Sequence, residues 1–247
     1  IIRRTTDLSP INFFIPINSS DATPLAFTSD LMNSRIAVAN GTQAFLYEVS
    51  SGAGVRSLGL IAGVEPRGAF TPNGQYFLGG TQNNSITVTH AMTGAEVGSL
   101  PAVGCEGNIT GLEITPDGDH VFATCNSAVI PPANNFIAKI LVWRISDPNP
   151  ANWSLVKTYD DQTISGRTYL SMSPEGSRFF YGRPDATVVM ANNVFGPTSI
   201  QFSEPAYTVN EDGVRAAIMA TRTGGSADAV GVSYATGDGT ATAGADY

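Results

Sequence analysis

The sequence predicts an all-β chain assembled from repeated short strands. Three observations carry this. A strand–turn–strand signature recurs four times along the chain. Gly and Pro number 26 and 15 of 247 residues, which disfavours long helices. Only 14% of residues are charged against 42% hydrophobic, so the polar surface falls to Thr, Ser, Asn and Gly, residues of strands and turns.

The four signatures are Ala26-Phe27-Thr28-Ser29-Asp30, Ala69-Phe70-Thr71-Pro72-Asn73-Gly74, Glu113-Ile114-Thr115-Pro116-Asp117-Gly118 and Ser171-Met172-Ser173-Pro174-Glu175-Gly176. Pro presets φ for the first turn position and Gly accepts a positive φ at the end. A second strand is predicted after each turn, over Arg35–Ala39, Tyr76–Gly79, His120–Thr124 and Arg178–Tyr181. A third follows over Ala44–Val49, Ser85–Thr89, Lys139–Ile145 and Thr187–Met190. In the first three repeats turn residues and a weaker fourth strand, such as Val97–Leu100, follow. The Thr/Ser positions recur 43, 44 and 58 residues apart. The long step is read as an inserted loop over Ser127–Phe136, marked by Pro131-Pro132 and Asn134-Asn135, with a further turn over Asp147–Asn152.

A repeat of about 40–45 residues with four short strands is the pattern of a β-propeller blade. Through its Thr-Pro-Asn/Asp-Gly turns and Thr93-Gly94, the segment 23–195 resembles bacterial WD40-like and YVTN-type propeller repeats. Val142-Trp143 is similar to the end of the third strand in WD repeats, without the Trp-Asp pair. About four blades are visible. The stretch Ile11–Ile17, within an N-terminal arm over 1–22, is read as a closing strand, an arm on a neighbour or an ordinary strand beside the first blade.

From residue 196 the pattern changes. A strand is predicted over Ser199–Phe202, then an extended Ala206–Gly213, a strand over Val214–Arg222, a Gly224-Gly225 turn and a strand over Ala229–Ala235. The Tyr207-x-Val209-x-Glu211-x-x-Gly213 opening, the Arg222-x-Gly224-Gly225 turn and the Asp238-Gly239-Thr240-Ala241…Gly244-x-Asp246-Tyr247 ending resemble the first half of a Calx-β domain. That resemblance implies part of an Ig-like β-sandwich. It also implies Ca2+ as a ligand, with Glu211 and Asp246 at the matching metal positions. Calcium takes six to eight oxygens, so two carboxylates need further ligands. A sandwich of this kind takes about 100 residues, and half of one leaves apolar faces and strand edges open; the remaining strands are read as lost, disordered or donated by a second copy.

Cys105 and Cys125 are the only cysteines. A strand pair around Pro116-Asp117-Gly118 sets Cys125 opposite residues near Ile109, with Cys105 within reach. A disulfide and two buried thiols are both consistent with this spacing. The sequence opens at Ile1 and stops in mid-pattern at Tyr247, as a fragment or a processed chain would.

The net charge of -8 makes nucleic acid a poor partner. No apolar run reaches the ~18 residues of a membrane span. No Gly-x-Ser-x-Gly, His-Glu-x-x-His, P-loop or dinucleotide fingerprint is present. His90 and His120 are read as packing or surface residues, Asp160-Asp161 as a solvated turn, and Trp143 and Trp153 as packing residues, with sugar stacking the alternative. The expectation is a non-enzymatic, secreted or cell-surface structural or adhesive protein. It is expected to self-associate, head to tail into a filament or matrix, or to bind other surface proteins. The alternatives are a propeller face that binds protein or glycan and, by fold analogy alone, a lactonase-like hydrolase.

Overall fold

A computed structural model describes residues 2–3, 10–11, 23–27, 35–40, 42–48, 54–60, 67–106, 108–130, 135–161, 169–183, 186–210 and 215–237. For residues 2–3, 10–11, 23–27, 40, 60, 126–130 and 135–138 it describes the backbone alone. Among these residues the chain is all-β apart from a single 3-10 turn at Pro150–Asn152. β1 (Ile2–Arg3) and β2 (Pro10–Ile11) form a short antiparallel pair.

Three four-stranded antiparallel meanders follow in chain order. The first is β3 (Thr23–Phe27), β4 (Arg35–Asn40), β5 (Gln43–Glu48) and β6 (Gly54–Leu60). The second is β7 (Gly68–Phe70), β8 (Tyr76–Gly80), β9 (Ser85–His90) and β10 (Glu96–Pro101). The third is β11 (Ile109–Ile114), β12 (His120–Ile130), β13 (Asn135–Arg144) and β14 (Ser154–Asp161). A fourth sheet has three strands, β15 (Leu170–Met172), β16 (Arg178–Gly182) and β17 (Val188–Asn192). The chain then enters a hairpin-like pair, β18 (Thr198–Phe202) with β19 (Ala220–Gly224).

Successive sheets pack face to face through their inner strands, such as β8 and β9, whose alternating side chains are buried on both sides. Between the first two sheets Ala37, Ala39, Leu46 and Leu58 meet Phe70 and Phe77. Between the second and third, Leu78, Ile86 and Val88 meet Val121, Ala123, Leu141 and Trp143. Between the third and fourth, Phe122, Ile140 and Val142 meet Leu170 and Phe179. Each such large side chain contributes about 1.5–3 kcal/mol on burial. The first strands of neighbouring sheets lie side by side, β3 with β7, β7 with β11 and β11 with β15. At Gly111 the approach is so close that a Cβ would stand 2.8 Å from the Leu170 backbone nitrogen, which explains glycine there.

Cys105 and Cys125 are joined by a disulfide with Cα atoms 5.8 Å apart, and Cys125 pairs with Ile109 across β11 and β12. The disulfide selects the first of the two readings that the spacing left open. A bridge spanning 20 residues stabilises by about 3 kcal/mol in the chain-entropy account.

Two expectations change. The insert over Ser127–Phe136 is not a loop throughout: β12 and β13 extend into it, with Val129 opposite Phe136 and Ile130 opposite Asn135 after a register shift. In the C-terminal segment β19 is confined to Ala220–Gly224, and residues 206–210 and 229–235 join no sheet among the described residues. Of the Ile11–Ile17 stretch only Ile11 is described, in β2; residues 12–17 lie outside the described residues.

Candidate functional site

The repeated turns build one edge of the molecule. In the second sheet the buried Thr71 hydroxyl donates to Asn73 Oδ1 at 2.7 Å and accepts from the Tyr76 N–H at 3.1 Å. Thr115 repeats this with Asp117 Oδ1 at 2.6 Å and the His120 N–H at 2.9 Å. In the fourth sheet Ser173 takes the same place and accepts from the Arg178 N–H at 3.0 Å. The turns also touch each other: the position of a Cβ on Gly118 lies 3.3 Å from Pro72, and on Gly176 2.7 Å from Pro116. Gly176 has φ +73°, so a side chain there is strained as well as crowded. The proline of one sheet thus seats on the turn glycine of the next.

Between the second and third turns lies a groove of about 250 Å³, lined in part by Asn73, Tyr76, Asp117, Asp119, Asp147 and Trp153. Its carboxylates are partly committed to the fold. Asp147 accepts from the Asn149 N–H at 2.8 Å and from Asn152 Nδ2 at 3.1 Å. Trp153 is buried, donates its Nε1–H to the Asp147 carbonyl at 2.7 Å and meets Tyr76 edge to face. Trp143 is buried in the core. Both tryptophans therefore pack, and neither offers an open ring to a sugar.

His90 ends β9, where its Nδ1 accepts from the Thr93 N–H at 3.3 Å and its ring meets Tyr76 edge to face. His120 opens β12. Its ring is buried, stacked on Phe195 with centroids 4.5 Å apart, and neither ring nitrogen has a hydrogen-bond partner among the described residues. Burial and the Arg144 guanidinium lower its pKa, outweighing the opposite pull of Asp117, Asp119 and Asp228. Arg144, opposite His120 in the sheet, pairs with Asp228 at 3.3 Å. The ring therefore sits where the third sheet meets the C-terminal segment. The link is tightened by the N–H groups of Ser226 and Ala227, both donating to the Val194 carbonyl.

Asp160 and Asp161 are a correction. They end strand β14 and do not form a solvated turn. Asp160 pairs with Lys139 at 3.3 Å. Asp161, partly buried, accepts from Tyr181 Oη at 2.6 Å and from Arg183 Nε and Nη2 at 2.8 and 2.6 Å. This knot ties the third sheet to the fourth. No local motif marks it, because its partners lie 20 and 22 residues downstream.

Glu211 and Asp246 both lie outside the described residues. Among the described residues no three His, Cys, Asp or Glu side chains are grouped so as to hold a metal ion. Burial raises the pKa of Glu113 on β11, and no helix among the described residues is long and apolar enough to cross a membrane.

Residues 196–247 match the Calx-beta domain. No curated protein matches the sequence. Among solved structures, Kuenenia stuttgartiensis hydrazine synthase is similar over 68% of this chain at 14% identity, with a TM-score of 0.52. The match spans 45% of that chain, and at this identity it speaks for the fold alone. The computationally designed Ika4 protein aligns over 71% of this chain and 94% of its own, at 16% identity and a TM-score of 0.47.

In the Calx-beta segment the Tyr207 hydroxyl donates to the Met219 carbonyl at 2.6 Å and accepts from the Glu204 N–H at 3.2 Å. It clasps the end of β18 to the start of β19, where Phe202 faces Ala220. The segment's apolar side chains are left in solvent: Phe202, Val209, Ile218, Met219, Val230, Val232 and Tyr234 are all exposed.

Proposed function

We propose that the chain is a structural or adhesive β-repeat protein of the cell exterior that associates with copies of itself, head to tail. The exposed apolar Calx-beta segment carries this reading. A repeat scaffold followed by a segment that joins no sheet over residues 206–210 and 229–235, among the described residues, suits a linker between units. In this reading the meanders are propeller blades. Their shared turn, chain order and adjacent first strands support it. A Cys105–Cys125 disulfide suits an oxidising, extracellular compartment.

Calcium enters the proposal as a ligand of the Calx-beta segment through Glu211 and Asp246, with further oxygens from loops or a neighbour. Association is ascribed to strands and apolar surface, so it should survive chelation by EDTA. The test is sedimentation of concentrated chain followed by electron microscopy. Elongated particles of uniform width support the proposal. Dispersed single particles at every concentration overturn it.

A further inference from the structure

Resting on the reading of self-association, we propose that β17 is the acceptor edge and residues 229–235 of a second copy are the strand it accepts. In the first three sheets the third strand is covered by a fourth, β6, β10 or β14. In the fourth sheet β17 pairs with β16 alone among the described residues.

The outer strands of the first three sheets carry features that discourage pairing. β6 holds Arg56 and two register shifts, β10 holds Glu96, Pro101 and one shift, and β14 holds Lys157, Asp160, Asp161 and one shift. Charge, proline and bulges are the usual protection of a sheet edge. β17, Val188-Val189-Met190-Ala191-Asn192, has no charge, no proline and an unbroken register with β16. Val188 and Met190 stand on one side of it, 72% and 57% exposed. Phe180 pairs with Met190 beside them. Phe180 and Met190 are placed as Leu78 and Val88 are in the second sheet and Phe122 and Val142 in the third, and those four are buried.

The proposed donor has the complementary pattern. Ala229-Val230-Gly231-Val232-Ser233-Tyr234-Ala235 is uncharged, free of proline and alternates with period two. Val230, Val232 and Tyr234 are 44%, 64% and 88% exposed. No strand of its own chain pairs with it among the described residues. Strand addition would join its backbone to the β17 edge and lay one apolar row beside Val188 and Met190. Its own β17 is not paired with it among the described residues. Each copy thus presents one acceptor and one donor, and the contact propagates.

Two double variants test this by light scattering on the full chain. Val188→Lys with Met190→Lys blocks the acceptor. Val230→Lys with Val232→Lys blocks the donor. All four side chains are exposed, so folding should be retained, with circular dichroism as the check. The wild-type mass is expected to rise with concentration. Each variant alone should stay at the mass of one chain, and an equimolar mixture should reach twice that mass and stop, since one free acceptor meets one free donor. Assembly that persists in either variant overturns this pairing and leaves self-association standing. A wild-type chain that stays monomeric overturns both.

Discussion

Thr115 shows at the residue scale how the repeat is held. Its buried hydroxyl serves Asp117, the His120 N–H and the His120 carbonyl. Thr115→Ala should lower stability by about 1–2 kcal/mol by stranding these groups. Thr115→Ser should be close to neutral, since Ser173 makes the equivalent bonds to Arg178. Thermal melts of the two variants check this. His120 adds a pH dependence. Its pKa is lowered in the folded chain from 6.5, so above that value the residue is neutral in both states. As pH falls below it, the unfolded chain takes the proton first and stability is lost. His120→Phe, which keeps a ring against Phe195, should flatten the part of the acid decline that begins near pH 6.5. Melting temperatures of both chains across that range would show it; curves that stay parallel would count against it.

At the scale of elements, the Asp161 knot between the third and fourth sheets is the contact to cut. Arg183→Ala takes the guanidinium away from the Asp161 carboxylate, whose side chain is 9% exposed, and should cause the larger loss of stability. Arg144→Ala breaks the exposed pair with Asp228 and should cost only about 0–1 kcal/mol. Denaturant unfolding of both variants ranks them; equal losses would refute the distinction. The same elements show what the sequence could disclose. Strand order and turns were legible because Thr-Pro-Asn/Asp-Gly encodes local hydrogen bonds and dihedral angles. The long β12–β13 hairpin was not, since Pro131-Pro132 and Asn134-Asn135 speak for a loop while the pairing of Val129 with Phe136 depends on register across it. Asp161 was misread because its partners are distant in sequence. Tyr207 was visible as a motif residue, but its role as a clasp between Glu204 and Met219 was not.

For the whole molecule, three interlocked interfaces and a disulfide make a stiff body, while the Calx-beta segment shows its apolar residues to solvent. Reducing the Cys105–Cys125 bridge should lower the melting temperature, by an amount matching about 3 kcal/mol. It should leave association intact, since neither cysteine lies in β17 or in residues 229–235. The central claim is that the unpartnered surfaces complete one another between copies. The direct measurement is the molar mass of the full chain in solution as a function of concentration, by light scattering. A mass that climbs above 25.8 kDa in multiples of one chain is the predicted result. A mass fixed at that value at every concentration would contradict it.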